Sequence, residues 1–410
     1  MISFKLALAL GAILPGVFGS KVIRARGANT VPNGWIARIE DNELLDDVLS
    51  SVMEAAGIES KITYSMGGIK GFSFDCDDDG VLDILEAMGA IKSVEPDYMM
   101  YASVPVGSLN SRAADVTAAA NGTLVTQDNS IYGLARISHR EPGAQEYIFD
   151  SAAGEDTFIY VIDTGVNTKH TEFEGRATLG KSFVQNSDGE DDQGHGTHCS
   201  GTAAGKTFGV AKKANIIGVK VLGADGSGSN SGVLQGIAWA VNDATEKGHI
   251  NRTVLSMSLG GQFSRTTNAA IKSAVQAGAF IAAAAGNEGE DASNSSPASA
   301  PEACTVGATN ERDLKSSFSN FGRLVDIFAP GEKIKSAWIG STTATNTISG
   351  TSMACPHIAG LAAYLISVEG PRSPTDLCKR IQELATKDAI TNLRAGEGSP
   401  NLIAYNGNGA

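Results

Sequence analysis

Hydrophobic and polar residues recur with different spacings in two parts of the chain. In residues 33–101, short alternating runs are interleaved with apolar residues at helical spacing. The alternating runs predict strands at residues 35–39, 71–74 and 91–95, and the helical spacing predicts helices at residues 44–56 and 81–88. Strands and helices in this order predict a small α+β unit of the split βαβ, ferredoxin-like kind.

The second part, from about residue 125 to residue 405, contains continuous apolar strands that alternate with helices. Strands are predicted at residues 158–162, 216–222, 254–259 and 279–285, and helices at residues 233–247 and 268–277. Such a pattern predicts an α/β domain with a mostly parallel sheet covered by helices on both faces. Asp163, Ser258 and Asn287 then follow the carboxyl ends of strands, where these sheets place functional groups.

Two stretches lie outside these units. Residues 1–19 contain one charge, Lys5, and an apolar run at 6–14, which predicts a secretory signal. A buried N-terminal helix or a membrane anchor is the alternative, but the run is too short to span a bilayer. No later segment is expected to cross a membrane.

Residues 102–124 show little periodicity and predict an exposed linker, where proteolytic cleavage is common.

Composition excludes one class of function. The 410 residues include 45 acidic and 32 basic side chains, so the net charge is −13, which argues against binding to a phosphate backbone. A hydrophobic fraction of 42% and a charged fraction of 19% are those of an ordinary globular protein.

Three short blocks carry the candidate chemistry. Asp163 lies in residues 161–165, His195 in residues 194–198 and Ser352 in residues 349–357. A serine hydroxyl becomes a nucleophile when a base removes its proton and a third group orients that base. The chain order Asp, His, Ser differs from that of α/β-hydrolases and of chymotrypsin-like enzymes.

These blocks resemble the signatures of the subtilisin-like serine proteases (subtilases), specifically the secreted fungal, proteinase K-like branch. Further matching segments lie at residues 132–138, 172–177, 208–213, 258–261, 285–287 and 318–322. The resemblance covers about residues 125–405 and implies the three-layer subtilisin fold.

The resemblance also implies a role for each site residue. Ser352 is expected to be the nucleophile, His195 the general base and Asp163 the carboxylate that orients it. Asn287 and the backbone N–H of Ser352 are expected to form the oxyanion hole. Ser352 precedes an apolar run, residues 353–366, which predicts a buried helix with its positive end at the site.

The resemblance implies a substrate cleft with two backbone walls. Its residues are expected to be Gly228, Ser229, Asn230, Ser258, Leu259 and Gly260. An extended protein or peptide substrate would add as a strand between them. The glycines in residues 258–261 would leave the primary substrate pocket open. The resemblance therefore implies a broad preference for substrates with aromatic or large apolar side chains. The enzyme is expected to be monomeric.

The domain boundaries follow from the same resemblance. Residues 20–120 are expected to be a propeptide, with an inhibitory and chaperone module at about residues 33–101 and then the linker. The peptidase domain is expected at residues 121–410. The propeptide tail should occupy the cleft until the enzyme cuts its own chain near residue 120. An independent accessory domain is the alternative reading of the module.

The five cysteines form an odd number for a secreted chain. The resemblance implies a disulfide between Cys304 and Cys378. Cys199 and Cys355 are expected to be buried free thiols near the active site, and Cys76 lies in the N-terminal module. A catalytic cysteine is the alternative, but neither residue lies in a cysteine-protease motif.

No cofactor is expected for catalysis, but the resemblance implies a structural calcium ion. Its ligands would be the carbonyls of Pro301 and Ala303 and the carboxylate of Asp326, oxygen donors that suit a hard cation. An ion-paired or surface aspartate is the alternative for Asp326.

Sequons for N-glycosylation begin at Asn121, Asn251 and Asn294.

Several competing readings remain at this point. His198 and His357 are alternatives for the base, and His195, His198 and Cys199 could be read as zinc ligands without the open three-ligand spacing of a catalytic site. Residues 350–354 resemble an esterase elbow but lack its final glycine. A catalytically silent secreted binding protein or antigen on the same scaffold is the alternative to an extracellular endopeptidase.

Overall fold

The computed structural model describes residues 20–24, 29–103, 118–121, 123–394 and 396–409. For residues 118–121 it describes the backbone. The predicted signal at residues 1–19 and the linker residues 104–117 lie outside the described residues.

The N-terminal unit is a four-stranded antiparallel sheet with two helices. Its elements are β1 (Thr30–Ile39), α1 (Leu45–Ala56), β2 (Ile62–Met66), β3 (Ile69–Asp75), α2 (Asp79–Ala87) and β4 (Ile91–Ala102). The strand order β2-β3-β1-β4 confirms the predicted split βαβ unit. Sequence reasoning missed β2 and ended β4 at residue 95, seven residues before its last residue, Ala102.

The second part begins with an element that the linker prediction excluded. Residues Ala118–Asn121 form strand β5, which pairs antiparallel with β6 (Leu124–Gln127), and β6 pairs with β7 (Tyr147–Asp150). The linker prediction is therefore wrong for these residues, because their backbone hydrogen bonds are made to a neighbouring strand.

The remaining elements alternate as predicted. They are α3 (Tyr132–Ser138), β8 (Phe158–Asp163), β9 (Ala177–Ser182), α4 (His195–Ala204), β10 (Asn215–Lys220), β11 (Ser227–Ser229), α5 (Asn230–Glu246), β12 (Thr253–Met257), β13 (Leu259–Gln262), α6 (Arg265–Ala277), β14 (Phe280–Ala284), β15 (Ser295–Ser296), β16 (Cys304–Thr309), β17 (Ile327–Pro330), β18 (Ile334–Ala337), β19 (Thr345–Ile348), α7 (Thr351–Glu369), α8 (Pro374–Leu384), β20 (Thr386–Lys387) and β21 (Leu402–Ile403).

The central sheet has the order β20-β21-β17-β16-β14-β12-β8-β10-β9. Neighbouring strands from β21 to β9 run parallel, and β20 is antiparallel to β21. Alternate residues of β8 pack in opposite layers: Ile159 and Val161 in the core with α4 and α7, Tyr160 and Ile162 in the core with α5 and α6. The predicted three-layer α/β architecture is confirmed.

Helix α7 crosses the interior of this domain. Among the described residues it is the one helix that is long and apolar enough to cross a membrane, although 89% of the qualifying window is buried inside the protein. Its length and composition differ from the expectation that no later segment approaches membrane-spanning length. The helix is apolar on every side because the sheet and α4 surround it.

The predicted disulfide is present and ties the sheet to α8. Cys304 at the start of β16 is bonded to Cys378, with a Cα–Cα distance of 5.8 Å. Cys199 and Cys355 are buried and unpaired, as expected. Restricting the unfolded chain with a loop of this length contributes about 4 kcal/mol in the chain-entropy model.

The N-terminal unit packs against α5 and α6. Its residues Ile36, Tyr64, Met66, Ile69 and Met100 belong to the same buried cluster as those helices. Two carboxylates reinforce this contact: Glu95 accepts hydrogen bonds from the backbone of Arg265 and Thr266 at the start of α6, and Asp97 accepts from the backbone and hydroxyl of Ser231 in the first turn of α5. Both carboxylates thus cap helices of the other unit.

Candidate active site

Asp163, His195 and Ser352 come together at the carboxyl edge of the central sheet. Asp163 ends β8, His195 begins α4, and Ser352 lies in the first turn of α7. All three side chains are buried. His195 Nδ1 lies 2.7 Å from Asp163 Oδ1 and 2.9 Å from Oδ2. The carboxylate therefore fixes which imidazole nitrogen carries the proton and leaves Nε2 for a second partner.

The surroundings of His195 favour its charged form. Burial by itself lowers the pKa of a histidine, but the charge of Asp163 and its hydrogen bond, with the Cys199 thiol alongside, outweigh burial. The pKa of His195 is therefore raised well above 6.5. An imidazole of this kind is a stronger base and holds an accepted proton close to its carboxylate.

Ser352 and Ser258 form a reciprocal pair. The Ser352 hydroxyl donates to the Ser258 carbonyl at 2.9 Å, and the Ser258 hydroxyl donates to the Ser352 carbonyl at 2.9 Å. In the part of the chain that is described, Ser352 Oγ makes this bond and none to His195. Catalytic hydrogen bonds often align only when substrate is bound.

Cys199 contacts both the His195 imidazole and the backbone of Ser352. Its sulfur is 3.8 Å from His195 Nδ1 and 4.0 Å from Nε2, and it donates to the Ser352 carbonyl at 3.4 Å. Burial raises the pKa of this thiol, so it is a neutral packing group. His195 and Ser352 are thus neighbours across a single side chain.

Asn287 follows β14 and lies beside the start of α7. Its Oδ1 accepts from the backbone N–H of Thr351 at 2.8 Å and from the Thr351 hydroxyl at 3.0 Å. Since both bonds occupy the oxygen, the amide NH₂ remains available as a donor to the cavity that Asn287 lines. Thr351, which sets this orientation, was not recognised from the sequence.

The two competing histidines have other partners. His198 Nε2 lies 3.0 Å from the carbonyl of Ile334, and burial lowers its pKa to about 3. His357 Nδ1 lies 2.7 Å from the carbonyl of Met353, and burial lowers its pKa to about 4. Both are neutral residues of the core. Among the described residues, the group that clusters with His195 and Cys199 is Asp163, not the His198 that the zinc reading needs.

Asp191 is a site residue that sequence reasoning missed. Its Oδ1 accepts from the backbone of Gly194 at 2.8 Å and from the Thr164 hydroxyl at 2.8 Å. Its Oδ2 accepts from the backbone and hydroxyl of Thr197 at 2.9 and 2.6 Å. Asp191 therefore joins the first turn of α4 to the residue that follows Asp163. An acidic residue four positions before His195 was the available signal.

A buried lysine that pairs with an exposed aspartate supports the same edge. Lys220 at the end of β10 is fully buried, and its Nζ donates to the carbonyls of Thr164 and Leu222 at 2.6 and 3.0 Å and to Asp192 at 2.6 Å. This ammonium fixes the ends of β8 and β10 relative to the loop before His195. Lys220 was not among the residues predicted from the sequence.

The expected cleft walls lie on either side of one strand. The end of β4 pairs antiparallel with β11, where Gly228 faces Met100, and with β13, where Gly260 faces Tyr101. Gly228, Ser229, Leu259 and Gly260 belong to these walls, and Ser258 immediately precedes β13. A strand of the N-terminal unit thus fills the cleft between them.

Asn230 is the exception among the predicted cleft residues. Its side chain is buried, donates to the Ser264 hydroxyl at 3.2 Å and accepts from the Thr267 hydroxyl at 2.6 Å. It therefore joins α5 to α6 and does not face the cleft.

A cavity of about 580 Å³ opens beside the cleft. Its lining includes small residues of β13 and β14, the carboxylate-bearing Glu288 and Glu290, and Ser103 at the end of the inserted strand. Small residues leave space for a large side chain next to Asn287.

The expected calcium residues lie just before two neighbouring strands, with Pro301 and Ala303 before β16 and Asp326 before β17. Asp326 Oδ2 accepts from the backbone of Thr305 at 2.8 Å, and Gln382 donates to its Oδ1 at 3.3 Å. Burial raises the pKa of Asp326 to about 6. Ala303 is buried two residues before Thr305, and Pro301 is exposed. Among the described contacts of Asp326 there is no basic group, so the ion-pair alternative is not supported.

The glycosylation sequons are accessible where they are described. Asn251 and Asn294 are exposed. The side chain of Asn121, at the end of β5, lies outside the described part of the chain.

Comparison with known proteins gives a consistent result. The model of the peptidase S8, subtilase family matches residues 154–403. Alkaline protease 1 of Emericella nidulans is 42% identical over 99% of this chain and 99% of its own length. Cuticle-degrading protease of Metarhizium anisopliae is 52% identical over 69% of this chain and 72% of its own.

A solved structure, the crystal structure of a cold-adapted subtilisin-like serine proteinase, is similar with a TM-score of 0.64 and 43% identity. The similar region covers 68% of this chain and 98% of the chain in the solved structure. The shared fold, the family match and the buried Asp163–His195 pair beside Ser352 together identify the chain as a member of the subtilase family of serine peptidases.

Proposed function

We propose that this subtilase is a secreted serine endopeptidase, made as an autoprocessed zymogen and acting outside the cell. The observation that carries the proposal is the Asp163–His195 pair, which Cys199 links to Ser352 at the head of a buried helix. The fungal relatives named as alkaline and cuticle-degrading proteases support the substrate class, protein.

The proposed reaction proceeds through an acyl-enzyme. Ser352 Oγ attacks the scissile carbonyl while His195 takes its proton through Nε2 and then gives it to the leaving amine. Asp163 stabilises the imidazolium during this transfer.

The negative charge that develops on the carbonyl oxygen needs donors. The Asn287 amide and the Ser352 backbone N–H are the proposed pair, and the head of α7 adds its partial positive charge. In subtilisin itself, removing one such donor costs about 3–4 kcal/mol of transition-state stabilisation.

The proposed substrate is an extended peptide segment. It would lie where the end of β4 lies now, hydrogen-bonded to β11 and β13, with one side chain in the cavity beside Asn287. The small residues that line this cavity support a preference for large apolar or aromatic side chains.

The N-terminal unit is proposed to be the inhibitor of the uncut chain. Its strand occupies the cleft, its sheet packs on α5 and α6, and its two carboxylates cap those helices. An occupied cleft cannot accept a substrate until the unit leaves.

A structural calcium ion is proposed at Asp326. This half-buried carboxylate has no basic partner among its described contacts, so its charge and the carbonyls of Pro301 and Ala303 fit a hard cation. The ion would stabilise the fold and take no part in the chemistry.

A serine-directed fluorophosphonate probe tests the proposal against a catalytically silent binding protein. The processed wild-type protein should be labelled at Ser352 and should cleave casein, and Ser352→Ala should do neither. The variant Ser349→Ala, three residues earlier, should behave as the wild type. A folded, processed wild-type protein that neither reacts nor cleaves would establish the silent scaffold instead.

A further inference from the structure

The last strand of the N-terminal unit has a defined register in the cleft. Tyr101 lies opposite Gly260 of β13 and opposite Ser227 of β11. Beyond this pairing, the Ala102 amide donates to the Gly226 carbonyl at 2.9 Å, and the Ser103 amide donates to the Ser258 carbonyl at 3.1 Å. The strand is thus held residue by residue up to Ser103.

The nucleophile lies where this strand ends. The Ser258 carbonyl that accepts from the Ser103 amide at 3.1 Å also accepts from the Ser352 hydroxyl at 2.9 Å. One oxygen therefore positions both groups. The Ser103 carbonyl is one Cα beyond the bonded amide, and Ser103 lines the same cavity as Asn287. We propose that the chain cuts its own peptide bond between Ser103 and Val104.

The position of β5 supports this bond over one near residue 120. Residues 118–121 pair with β6 from Ala118 opposite Gln127 to Asn121 opposite Leu124. A peptide bond enters a protease cleft as an added strand with free backbone groups. A bond inside β5 already has its partner strand. Cutting after Ser103 leaves β5 intact and gives a mature chain that begins at Val104.

The reaction balances without any other reagent. Ser352 Oγ bonds to the Ser103 carbonyl carbon, the bond to the Val104 nitrogen breaks, and the proton from Oγ passes through His195 to that nitrogen. Water then hydrolyses the ester, which restores the Ser352 hydroxyl and leaves Ser103 with a free carboxylate. This inference rests on the proposed peptidase function and adds the identity of the bond.

The N-terminus of the newly processed protein tests the proposal. The full chain is expressed in a protease-poor host, and the product is sequenced at the earliest time at which the N-terminal unit is separated. The expected first residue is Val104. A first product that begins at any later residue, including the 118–124 region, would overturn the assignment.

Matched proline variants give a second measurement. Val104→Pro replaces the leaving amide with one that has no N–H and a fixed φ, and should slow separation by more than about tenfold. Ala120→Pro makes the same change near residue 120 and should leave the rate of separation at the wild-type value. If the N-terminal unit fails to separate in Ala120→Pro but separates normally in Val104→Pro, the assignment of the cut to the Ser103–Val104 bond is refuted.

The Ser352→Ala variant separates failure of this inference from failure of the proposed function. If Ser352→Ala stays uncut while the wild-type product begins near residue 120, only the bond is misassigned. If Ser352→Ala is processed like the wild type in the same host, the proposed autoprocessing itself fails.

Discussion

At the scale of single residues, the three side chains that are proposed to carry out the reaction were the ones that the sequence revealed. Asp163, His195 and Ser352 are recognisable because nucleophilic chemistry requires these residue types in short, small-residue blocks. Asp191, Thr351 and Lys220 escaped notice because their roles depend on which backbone groups lie nearby. The bonds of Thr351 to Asn287 and of Lys220 to the Thr164 carbonyl join segments that are distant in the chain. The bonds of Asp191 to Gly194 and Thr197 are local, but its bond to the Thr164 hydroxyl is not.

Asp191 provides the first prediction. Replacing it with alanine leaves the amides of Gly194 and Thr197 without their acceptor and should lower stability by at least about 2 kcal/mol. The rate of peptide hydrolysis should also fall, since the first turn of α4 carries His195. Thermal unfolding and kcat are measured on the processed enzyme.

The exposed Asp188 in the same loop is the matched control, and Asp188→Ala should change both quantities little. Equal effects of the two substitutions would show that Asp191 has no special role in holding α4.

At the scale of elements, strand β4 shows where prediction from sequence succeeds and where it stops. Its first half alternates in hydrophobicity and was predicted, because it belongs to the sheet of its own unit. Its second half, from Met99 to Ala102, forms a strand because β11 and β13 lie on both sides of it. Local pattern cannot reveal a strand that is defined by partners more than 100 residues away.

The helix cap formed by Asp97 gives the second prediction, on pH. Burial raises the pKa of Asp97 to about 6, although its bonds from Ser231 oppose this rise. A raised pKa means that the contribution of Asp97 to stability is fully present below the unfolded pKa, near 4, and is lost as the pH rises through about 6.

The measurement uses the uncut Ser352→Ala chain, in which the unit remains attached. The difference in melting temperature between this chain and the same chain with Asp97→Asn should change with pH between about 4 and 6. If the difference in melting temperature between Asp97→Asn and its parent chain is constant between about pH 4 and 6, the raised pKa of Asp97 is contradicted.

At the scale of the whole molecule, the disulfide, α8 and the start of β16 meet around Asp326. Within α8, Cys378 forms the disulfide with Cys304. One turn later, Gln382 donates a hydrogen bond to the carboxylate of Asp326. A cation at this point would join the sheet edge to the outer helix.

The third prediction follows from mass action. Added calcium should raise the melting temperature of the processed enzyme, by an amount that corresponds to about 2.7 kcal/mol when calcium is one hundred times its dissociation constant. Asp326→Ala should abolish this rise, and the exposed Asp128→Ala should preserve it. A wild-type calcium response that survives in Asp326→Ala would place the ion elsewhere.

The continuity of β4 has a further consequence for the proposed inhibition of the uncut chain. While the strand is covalently attached, its local concentration at the cleft is set by the chain and is independent of dilution. If the chain is cut as proposed, the N-terminal unit that carries this strand becomes a separate molecule. The fraction of clefts that it occupies then depends on the total protein concentration and on its dissociation constant. Dilution after export would then release activity without any further chemical step, and a concentrated sample of cut enzyme would remain largely inhibited.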